Sequence, residues 1–507
     1  MSSSPRSPED RAPEHEQPTD TTPLLPRRQE RYSVFTTGQK RMIILAAALA
    51  SSFSPFSANI YYPSLNSIAA DLHVTSSQIN LTITTYMICQ GLAPAFMGSL
   101  ADQAGRRPAY ILCFVIYICG NIALALQHSY PALLVLRAVQ SCGSSGTVAL
   151  ASAVAADIIT SAERGTYMGI ASLGNILAPS LGPILGGLLS QYLGWQAVFW
   201  FLAITAIAFF LPLLFFFPET CRAIVGDGSI RPTGWNRSVL NCWQGRRRGY
   251  HTVEYGTDSP PQDGEINKTK IQFPNPLATL KLLFHLPTGF VLLANGINFA
   301  SYYSVTTGIP AQFKELYALQ DLGIGLSFIP AGLGSLFSAT FNGILVDWNY
   351  RRIQAQSGET ISKSGKQDHS NFPIERARLQ IGLPMMLAAT TSVGLYGWLL
   401  SLKPPLSIAF VFVFIISFTI TAAYNVMNVL IVDLYYSTPA TAMAANNLVR
   451  CFLGAGATAV VRPMIRRWGD MWTYFIVAGV MVSVSPLLGV VYWRGMRWRN
   501  ERLGDAR

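Results

Sequence analysis

Residues 174–187 read GNILAPSLGPILGG, which places four glycines and two prolines inside an otherwise apolar stretch of the chain. On a helix, small residues at four-residue intervals would form one ridge, here Gly174, Ala178, Gly182 and Gly186. The adjacent ridge would hold Pro179, Pro183 and Gly187. Ridges without bulky side chains let a neighbouring helix approach closely in a membrane, and each proline bends its helix. The stretch predicts a bent, tightly packed membrane helix, either a moving part or a rigid packing element.

The composition of the whole chain also indicates a membrane setting. Its 507 residues are 50% hydrophobic and only 12% charged, whereas soluble domains carry about 25% charged residues. A run of about 20 apolar residues crosses the bilayer as a helix, because a helix satisfies its backbone hydrogen bonds internally. We therefore predict an all-α membrane protein with twelve transmembrane helices in two six-helix pseudo-repeats. The predicted spans are 42–62, 80–101, 108–127, 132–156, 166–190, 196–217, 287–308, 323–346, 379–401, 405–432, 440–462 and 472–493.

Polar stretches divide the chain into five parts. Residues 1–40 are rich in Ser, Pro and charge, which predicts a disordered cytoplasmic tail. The other parts are an N-terminal six-helix bundle (41–220), a cytoplasmic central loop (221–280), a C-terminal six-helix bundle (281–493) and a basic cytoplasmic tail (494–507).

The distribution of Lys and Arg predicts the orientation of the spans. These residues remain on the cytoplasmic side of a membrane, and the central loop holds eight of them, whereas 63–78, 128–131 and 191–195 hold none. Both termini are therefore expected in the cytoplasm. The net charge of +11 is explained by this topology and by attraction to anionic lipid, so we expect a lipid bilayer and no nucleic acid as partner.

A charge motif occurs once in each half. Gly98, Asp102 and Arg106-Arg107 follow span two, and Gly343, Asp347 and Arg351-Arg352 follow span eight with the same spacing. Two halves with matched motifs are typical of transporters that rock about a central site, although an acid before a basic pair is also ordinary topogenic charge. In the first copy we expect Gly98 to allow tight packing, Gly105 to permit a left-handed turn, and Asp102 to pair with an Arg.

Several stretches resemble the major facilitator superfamily, over nearly all of the chain outside the tails and loops. Residues 98–107 match the family's motif between spans two and three, and Leu134–Gly143 is similar to its second motif, with Ser141 where a glycine is usual. The 174–187 stretch resembles the span-five motif of drug:proton antiporters, and Pro218-Glu219-Thr220 is familiar from the same group. FSPFSANIYYPSLNSIA (53–69) and AANNLVRCFLGAGATAV (444–460) resemble the fungal quinidine-resistance branch of multidrug exporters.

The resemblance implies a secondary active exporter with alternating access, driven by proton antiport. It implies that Asp102 and Arg106 gate the protein, with Asp347 and Arg351 as their repeat, and that span five forms a sliding seam between the halves. It also implies that spans one, four, seven and ten line the cavity.

Ionisable residues inside spans point to a transport path, and here they are few. Arg137 lies in span four and Arg450 in span eleven, whereas no Asp, Glu or His falls in the middle third of any span. A buried Arg without an embedded carboxylate favours anionic or neutral solutes; alternatively Asn446, Asn447 or backbone carbonyls satisfy Arg450. For proton coupling the candidates are Asp157, which ends span four, and by resemblance Arg137.

Polar and aromatic residues on otherwise apolar spans are candidates for the rest of the cavity. They are Asn59 and Tyr61 in span one, Asn295, Asn298 and Tyr302 in span seven, and Tyr424, Asn425 and Asn428 in span ten. For each of them, contacts between helices or interfacial anchoring are equally compatible with the sequence.

The sequence therefore predicts an exporter of small organic molecules such as drugs, secondary metabolites or organic acids, acting as a monomer. A membrane sensor on the same fold and a uniporter or importer of small solutes are the alternatives. No HExxH, Gly-x-Ser-x-Gly or Walker sequence occurs, so we expect no enzyme, metal or cofactor, and a proton gradient as the energy source. We expect the plasma membrane, with the vacuolar membrane as the alternative because Asp20–Leu25 fits an acidic dileucine signal.

Overall fold

The computed structural model describes residues 33–159, 164–226, 228, 230, 232, 234–238, 284–357, 372–435 and 439–505. For 164–176, 234, 357, 439–440 and 502–505 it describes only the course of the backbone. The predicted tail up to residue 32, with its dileucine sequence, and most of the central loop lie outside the described residues.

Six long helices form the N-terminal half. They are α1 (Thr37–Asn59), α2 (Ser76–Ala104), α3 (Arg106–Leu126), α4 (Tyr130–Ile158), α5 (Arg164–Leu193) and α6 (Gln196–Phe216). A short helix, Leu65–Asp71, precedes α2. The Thr36 hydroxyl accepts a hydrogen bond from the backbone N–H of Gln39, and the Gln39 side chain accepts one from the N–H of Thr36. This reciprocal cap starts α1 at Thr37, so residues 37–40 belong to the helix and not to the predicted tail.

Six further helices form the C-terminal half. They are α7 (Leu286–Tyr317), α8 (Ile329–Ser357), α9 (Ile374–Ser401), α10 (Leu406–Leu434) and the stretch Pro439–Asp505, which Gly469 (φ 78°, ψ 173°) breaks into α11 (439–468) and α12 (470–505). A short helix, Asp321–Leu326, precedes α8. Because α12 remains helical to Asp505, the predicted tail from residue 494 is largely an extension of that helix.

Each half has its own core, and the two halves also pack on each other. In the N-terminal half α4 packs against α1, α2 and α3; in the C-terminal half α7 packs against α11, and α10 against α8 and α9. Between the halves α2 packs on α11, and α5 packs on α8 and on the Asp321–Leu326 helix. We call the end where α2 passes into α3 the motif end, and the opposite end, where α1 ends and α8 begins, the far end.

The helices have the length and the outer surface of membrane spans. Eight described helical stretches are long and apolar enough to cross a membrane, and α2, α5 and α7 reach 29, 30 and 32 residues. Large apolar side chains such as Val135, Ile204 and Phe216 are exposed on the outer surface, as expected for contact with lipid. The prediction of an all-α membrane protein with two six-helix halves is confirmed.

Candidate functional site

At the motif end of the N-terminal half, one arginine joins two carboxylates. Arg106 donates hydrogen bonds to Asp102 at 2.5 Å and to Asp157, at the end of α4, at 2.9 Å. The side chains of Arg106 and Asp157 are largely buried, whereas that of Asp102 is exposed. The ion pairs therefore tie the ends of α2 and α4 to the beginning of α3.

The two glycines of this motif differ in their surroundings. Gly105 has φ 111°, a conformation that glycine adopts without strain, and a Cβ there would lie 2.5 Å from Glu219 Oε2. A Cβ on Gly98 would meet no atom within 4 Å. Among the described residues no atom of another helix lies that close to Gly98, so the expected tight packing there stays a prediction.

Glu219, in the Pro218-Glu219-Thr220 sequence, is a buried carboxylate at the same end. It accepts hydrogen bonds from the backbone N–H groups of Arg106, Arg107, Thr220 and Cys221 at 2.8–3.1 Å. Two of these donors open α3, where no helical carbonyl precedes them and a negative charge is favourable. Sequence reasoning named Glu219 only by resemblance and assigned it no role.

In the C-terminal half a different arginine takes the position of Arg106. Arg378, at the beginning of α9, donates a hydrogen bond to Asp433, near the end of α10, at 2.9 Å. Arg106 and Asp157 likewise join the beginning of the third helix to the end of the fourth helix in the first half. The sequence repeat had indicated Asp347 and Arg351, but both are exposed and no ion pair joins them among the described residues. Because α8 continues as a helix through Arg351, whereas α2 ends at Ala104 and Arg106 opens α3, Arg351 is not placed against the end of the fourth helix as Arg106 is.

One ridge of the 174–187 stretch faces α1 of the same half. A Cβ on Gly182 would lie 3.1 Å from the Cβ of Asn59, and one on Gly186 would collide with the carbonyl oxygen of Ile60. For Gly174 only the backbone course is described. The small residues therefore serve a close contact between α5 and the end of α1.

The adjacent ridge faces the other half. A Cβ on Gly187 would lie 2.5 Å from the carbonyl oxygen of Asp321, and one on Gly325 would collide with the carbonyl oxygen of Pro183. Pro179, one turn before Pro183, is partly exposed. The prolines and Gly187 of α5 therefore lie along the boundary between the halves.

Polar contacts between the halves lie at the far end and in the middle of the molecule. Ser67 and Ser190 donate hydrogen bonds to the buried Asp321 carboxylate, and the Asn66 side chain donates to the carbonyl oxygen of Pro310. Nearer the middle, Thr84 is 3.0 Å from Thr458, and Asn447 donates to the carbonyl oxygen of Gln90 at 3.1 Å. No hydrogen bond joins the two halves at the motif end among the side chains that the structure describes. Asp321 was missed by sequence reasoning because it lies before span eight.

Arg137 is sealed inside the N-terminal half. Its side chain is 1% exposed and lies against the rings of Tyr61 and Tyr86, with Cζ 4.0 and 4.4 Å from the ring centroids. It also donates a hydrogen bond to Gln140 at 2.5 Å. Asp157 lies twenty residues further along α4, about 30 Å of helix, so the structure does not bring the two coupling candidates together.

Arg450, by contrast, is partly exposed in the middle of the molecule. Its Nε and Nη2 donate to the side-chain oxygen of Asn447 at 3.0 and 2.8 Å, and its Nη1 donates to the Tyr424 hydroxyl at 2.5 Å. The ring of Phe299 lies 4.9 Å from the Arg450 Cζ. Of the candidate partners named from the sequence, Asn447 binds this arginine, and Asn446 does not.

The other predicted cavity residues fall into two groups. Asn295 is fully buried and donates to Asn428 and Asn446 at 2.9 Å, and Asn298 is fully buried and donates to the carbonyl oxygen of Ile420. These contacts connect helices. Asn59 and Tyr61 are also buried. The partly exposed candidates are Tyr302, Tyr424, Asn425 and Asn428.

Two six-helix halves that meet around a polar centre define a multi-pass membrane transporter of small solutes. The chain belongs to the major facilitator superfamily, whose sequence model matches residues 47–459. It is 46% identical to MFS-type transporter phiD of a fungal species over 93% of this chain and 70% of that protein. It is 34% identical to citrate exporter 1 of Aspergillus niger over 93% of this chain and 89% of that protein. The crystal structure of a D-xylose-proton symporter covers 88% of this chain and 96% of its own, with TM-score 0.62 and 15% identity.

Proposed function

We propose that this protein exports small organic molecules, anionic or neutral, from the cytoplasm by alternating access and in exchange for protons. The observation that carries the proposal is the position of the contacts between the halves. They join Asp321 to Ser67 and Ser190 at the far end, and Thr84 to Thr458 and Asn447 to the Gln90 carbonyl oxygen nearer the middle. Arg450 lies on the motif-end side of the Thr458 contact, eight residues or about 12 Å along α11. Beyond Asn447, toward the motif end, no hydrogen bond joins the halves among the described side chains, so we infer that a solute reaches Arg450 from that end.

The distribution of basic residues supports a cytoplasmic motif end. The central loop, with its eight Lys and Arg residues, follows α6 at that end, and positive loops remain in the cytoplasm. In this orientation the conformation is one in which an exporter loads its substrate. We place the protein, as a monomer, in the plasma membrane.

Export by proton antiport is supported by resemblance and by one ion pair. The span-five sequence resembles that of drug:proton antiporters, including the quinidine-resistance branch, and citrate exporter 1 is a relative. We assign proton coupling to Asp157, because protonation of its carboxylate would weaken the ion pair with Arg106 at 2.9 Å. The proton gradient would supply the energy, with no bound cofactor.

Flux into proteoliposomes under an imposed pH gradient tests the proposal. Purified full-length protein is reconstituted, and uptake is measured for radiolabelled hippurate, radiolabelled citrate and rhodamine 123. An antiporter takes up solute when the lumen is acidic, because protons leave as the solute enters. Uptake driven instead by acid outside would indicate a symporting importer, gradient-independent uptake a uniporter, and no flux of any solute a sensor; each of these results overturns the proposal.

A further inference from the structure

The guanidinium of Arg450 has unused hydrogen-bonding capacity. A guanidinium carries five N–H donors, and three hydrogen bonds hold this one, two to Asn447 and one to Tyr424. The bond from Nε uses its single N–H, so one N–H remains on each of Nη1 and Nη2. Because Asn447 binds the Nε and Nη2 side of the group, the free N–H of Nη2 lies on its outer edge, next to Nη1.

Arg450 also lacks a compensating negative charge. The ion pairs among the described residues involve five other arginines and none at Arg450. A cation within a membrane protein is costly unless it is paired, and the neutral partners Asn447 and Tyr424 leave its charge in place. The oxygens of a carboxylate can accept hydrogen bonds from the free N–H groups on Nη1 and Nη2, and such charged hydrogen bonds are strong.

An aromatic surface lies next to this arginine. The Phe299 ring is 4.9 Å from the Arg450 Cζ, 4.6 Å from the Tyr303 ring and 6.1 Å from the Tyr424 ring. All three rings are partly exposed. Flat apolar or unsaturated groups pack favourably on such rings. We call Phe299, Tyr303 and Tyr424 the aromatic wall.

A second positive charge is out of reach. Arg137 and Arg450 are the arginines within the inner part of the predicted spans, and Arg137 is 1% exposed beneath Tyr61 and Tyr86. The described site can therefore neutralise one carboxylate, whereas further carboxylates on the same solute would be desolvated without a partner.

We propose that Arg450 and the aromatic wall form a site for solutes with a single carboxylate and an aromatic or unsaturated body. The carboxylate accepts hydrogen bonds from the free N–H groups of Arg450, and the aromatic or unsaturated body of the solute lies against Phe299. This inference rests on the proposed export function and specifies its substrate class: aromatic monocarboxylates in preference to tricarboxylates.

Binding to the purified full-length protein in detergent tests the site without requiring transport. The probes are hippurate, its neutral analogue hippuramide, and citrate, measured by isothermal titration calorimetry. Because hydrogen bonds to charged groups are stronger than neutral ones, we expect hippurate to bind at least about tenfold more tightly than hippuramide, and more tightly than citrate. Equal binding of hippurate and hippuramide, or tighter binding of citrate, would overturn the inference.

Substitutions test whether Arg450 is the source of the preference for hippurate over hippuramide. Arg450→Gln should abolish the preference for hippurate over hippuramide, and Arg450→Lys, which keeps the charge but loses the planar pair of donors, should retain part of it. Arg466→Gln, at an exposed arginine on the same helix, is the matched control and should leave the preference unchanged. A preference that survives Arg450→Gln contradicts the assignment.

A second variant keeps the test decisive if Arg450→Gln does not fold. Phe299→Leu should weaken hippurate several-fold while leaving the ratio of hippurate to hippuramide unchanged, because both solutes share the ring; unchanged hippurate affinity overturns the role of the wall. Flux of citrate driven by an acidic lumen, together with equal binding of hippurate and hippuramide, would overturn this inference and leave export standing. Carboxylate preference without any flux would overturn export and leave the site standing.

Discussion

Ser190 on α5 donates a hydrogen bond of 2.5 Å to the carboxylate of Asp321 in the other half of the molecule. Ser67 donates to the same oxygen at 2.5 Å, and the backbone N–H of Leu322 donates to Gln191 at 3.0 Å. The Asp321 carboxylate is buried and forms no ion pair among the described residues. It therefore holds the far end closed through hydroxyl donors from the opposite half.

Removing this carboxylate should open the far end. Hydrogen bonds to charged groups stabilise by about 1.5–3 kcal/mol each, so Asp321→Ala should raise the open population at least about tenfold. The measurement is the labelling rate, by an impermeant thiol reagent, of one cysteine placed at Phe328 in a background lacking the native cysteines. Asp347→Ala, at an exposed carboxylate on the motif end, should leave labelling unchanged. An unaltered rate in Asp321→Ala would show that the hydroxyl contacts do not hold the end closed.

Neighbouring glycines on α5 should have separable effects. A Cβ on Gly186 meets the backbone of Ile60 in the same half, whereas a Cβ on Gly187 meets the backbone of Asp321 in the other. Overpacking costs about 1–3 kcal/mol. We therefore expect Gly186→Ala to lower the thermal unfolding temperature, and Gly187→Ala to increase labelling at the far end. Gly479→Ala, with no atom within 4 Å of the added Cβ, is the control. Equal changes in unfolding temperature and in labelling in the Gly186 and Gly187 variants would contradict separate roles for the two glycines.

Flux should depend on the ion pair between Arg378 and Asp433 and not on Arg351, which the sequence repeat indicates. Arg378 lies 2.9 Å from Asp433 and packs over the Tyr350 ring at 4.8 Å, whereas Arg351 is exposed. Arg378→Gln should reduce proteoliposome flux to an extent comparable with Arg106→Gln, because each variant loses the ion pair between the third and fourth helices of its half. Arg351→Gln should retain wild-type flux. A larger loss of flux in Arg351→Gln than in Arg378→Gln would instead show that the position indicated by the sequence repeat is the functional one.

Neutralising Asp157 should uncouple flux from the pH gradient. Asparagine resembles the protonated carboxyl, so in Asp157→Asn a change in pH no longer alters the pairing with Arg106. We expect the ratio of flux with and without an acidic lumen to fall toward one. Asp433→Asn, at the corresponding position of the other half, should lower flux but keep the ratio. If both variants keep the wild-type flux ratio, proton coupling depends on a residue other than Asp157.

Some helix ends of this protein could be predicted closely from hydropathy, whereas others could not. Both helix ends that carry Asp157 and Asp433 were placed correctly from hydropathy, since a change from apolar to polar residues marks the membrane surface. The tail boundary near Thr37 was misplaced because a cap made by Thr36 and Gln39 extends the helix beyond the apolar run.

The sequence by itself determined the number and order of the membrane helices, because a run of about twenty apolar residues is stable in lipid only when its backbone is satisfied within the segment. It also determined which residues in the spans carry charge. The tertiary structure decided which of them meet. Arg137 and Arg450 are equivalent by hydropathy, yet aromatic rings seal the first and two free N–H groups remain on the second. That difference arises from side chains distant in sequence, whose positions depend on how the helices pack.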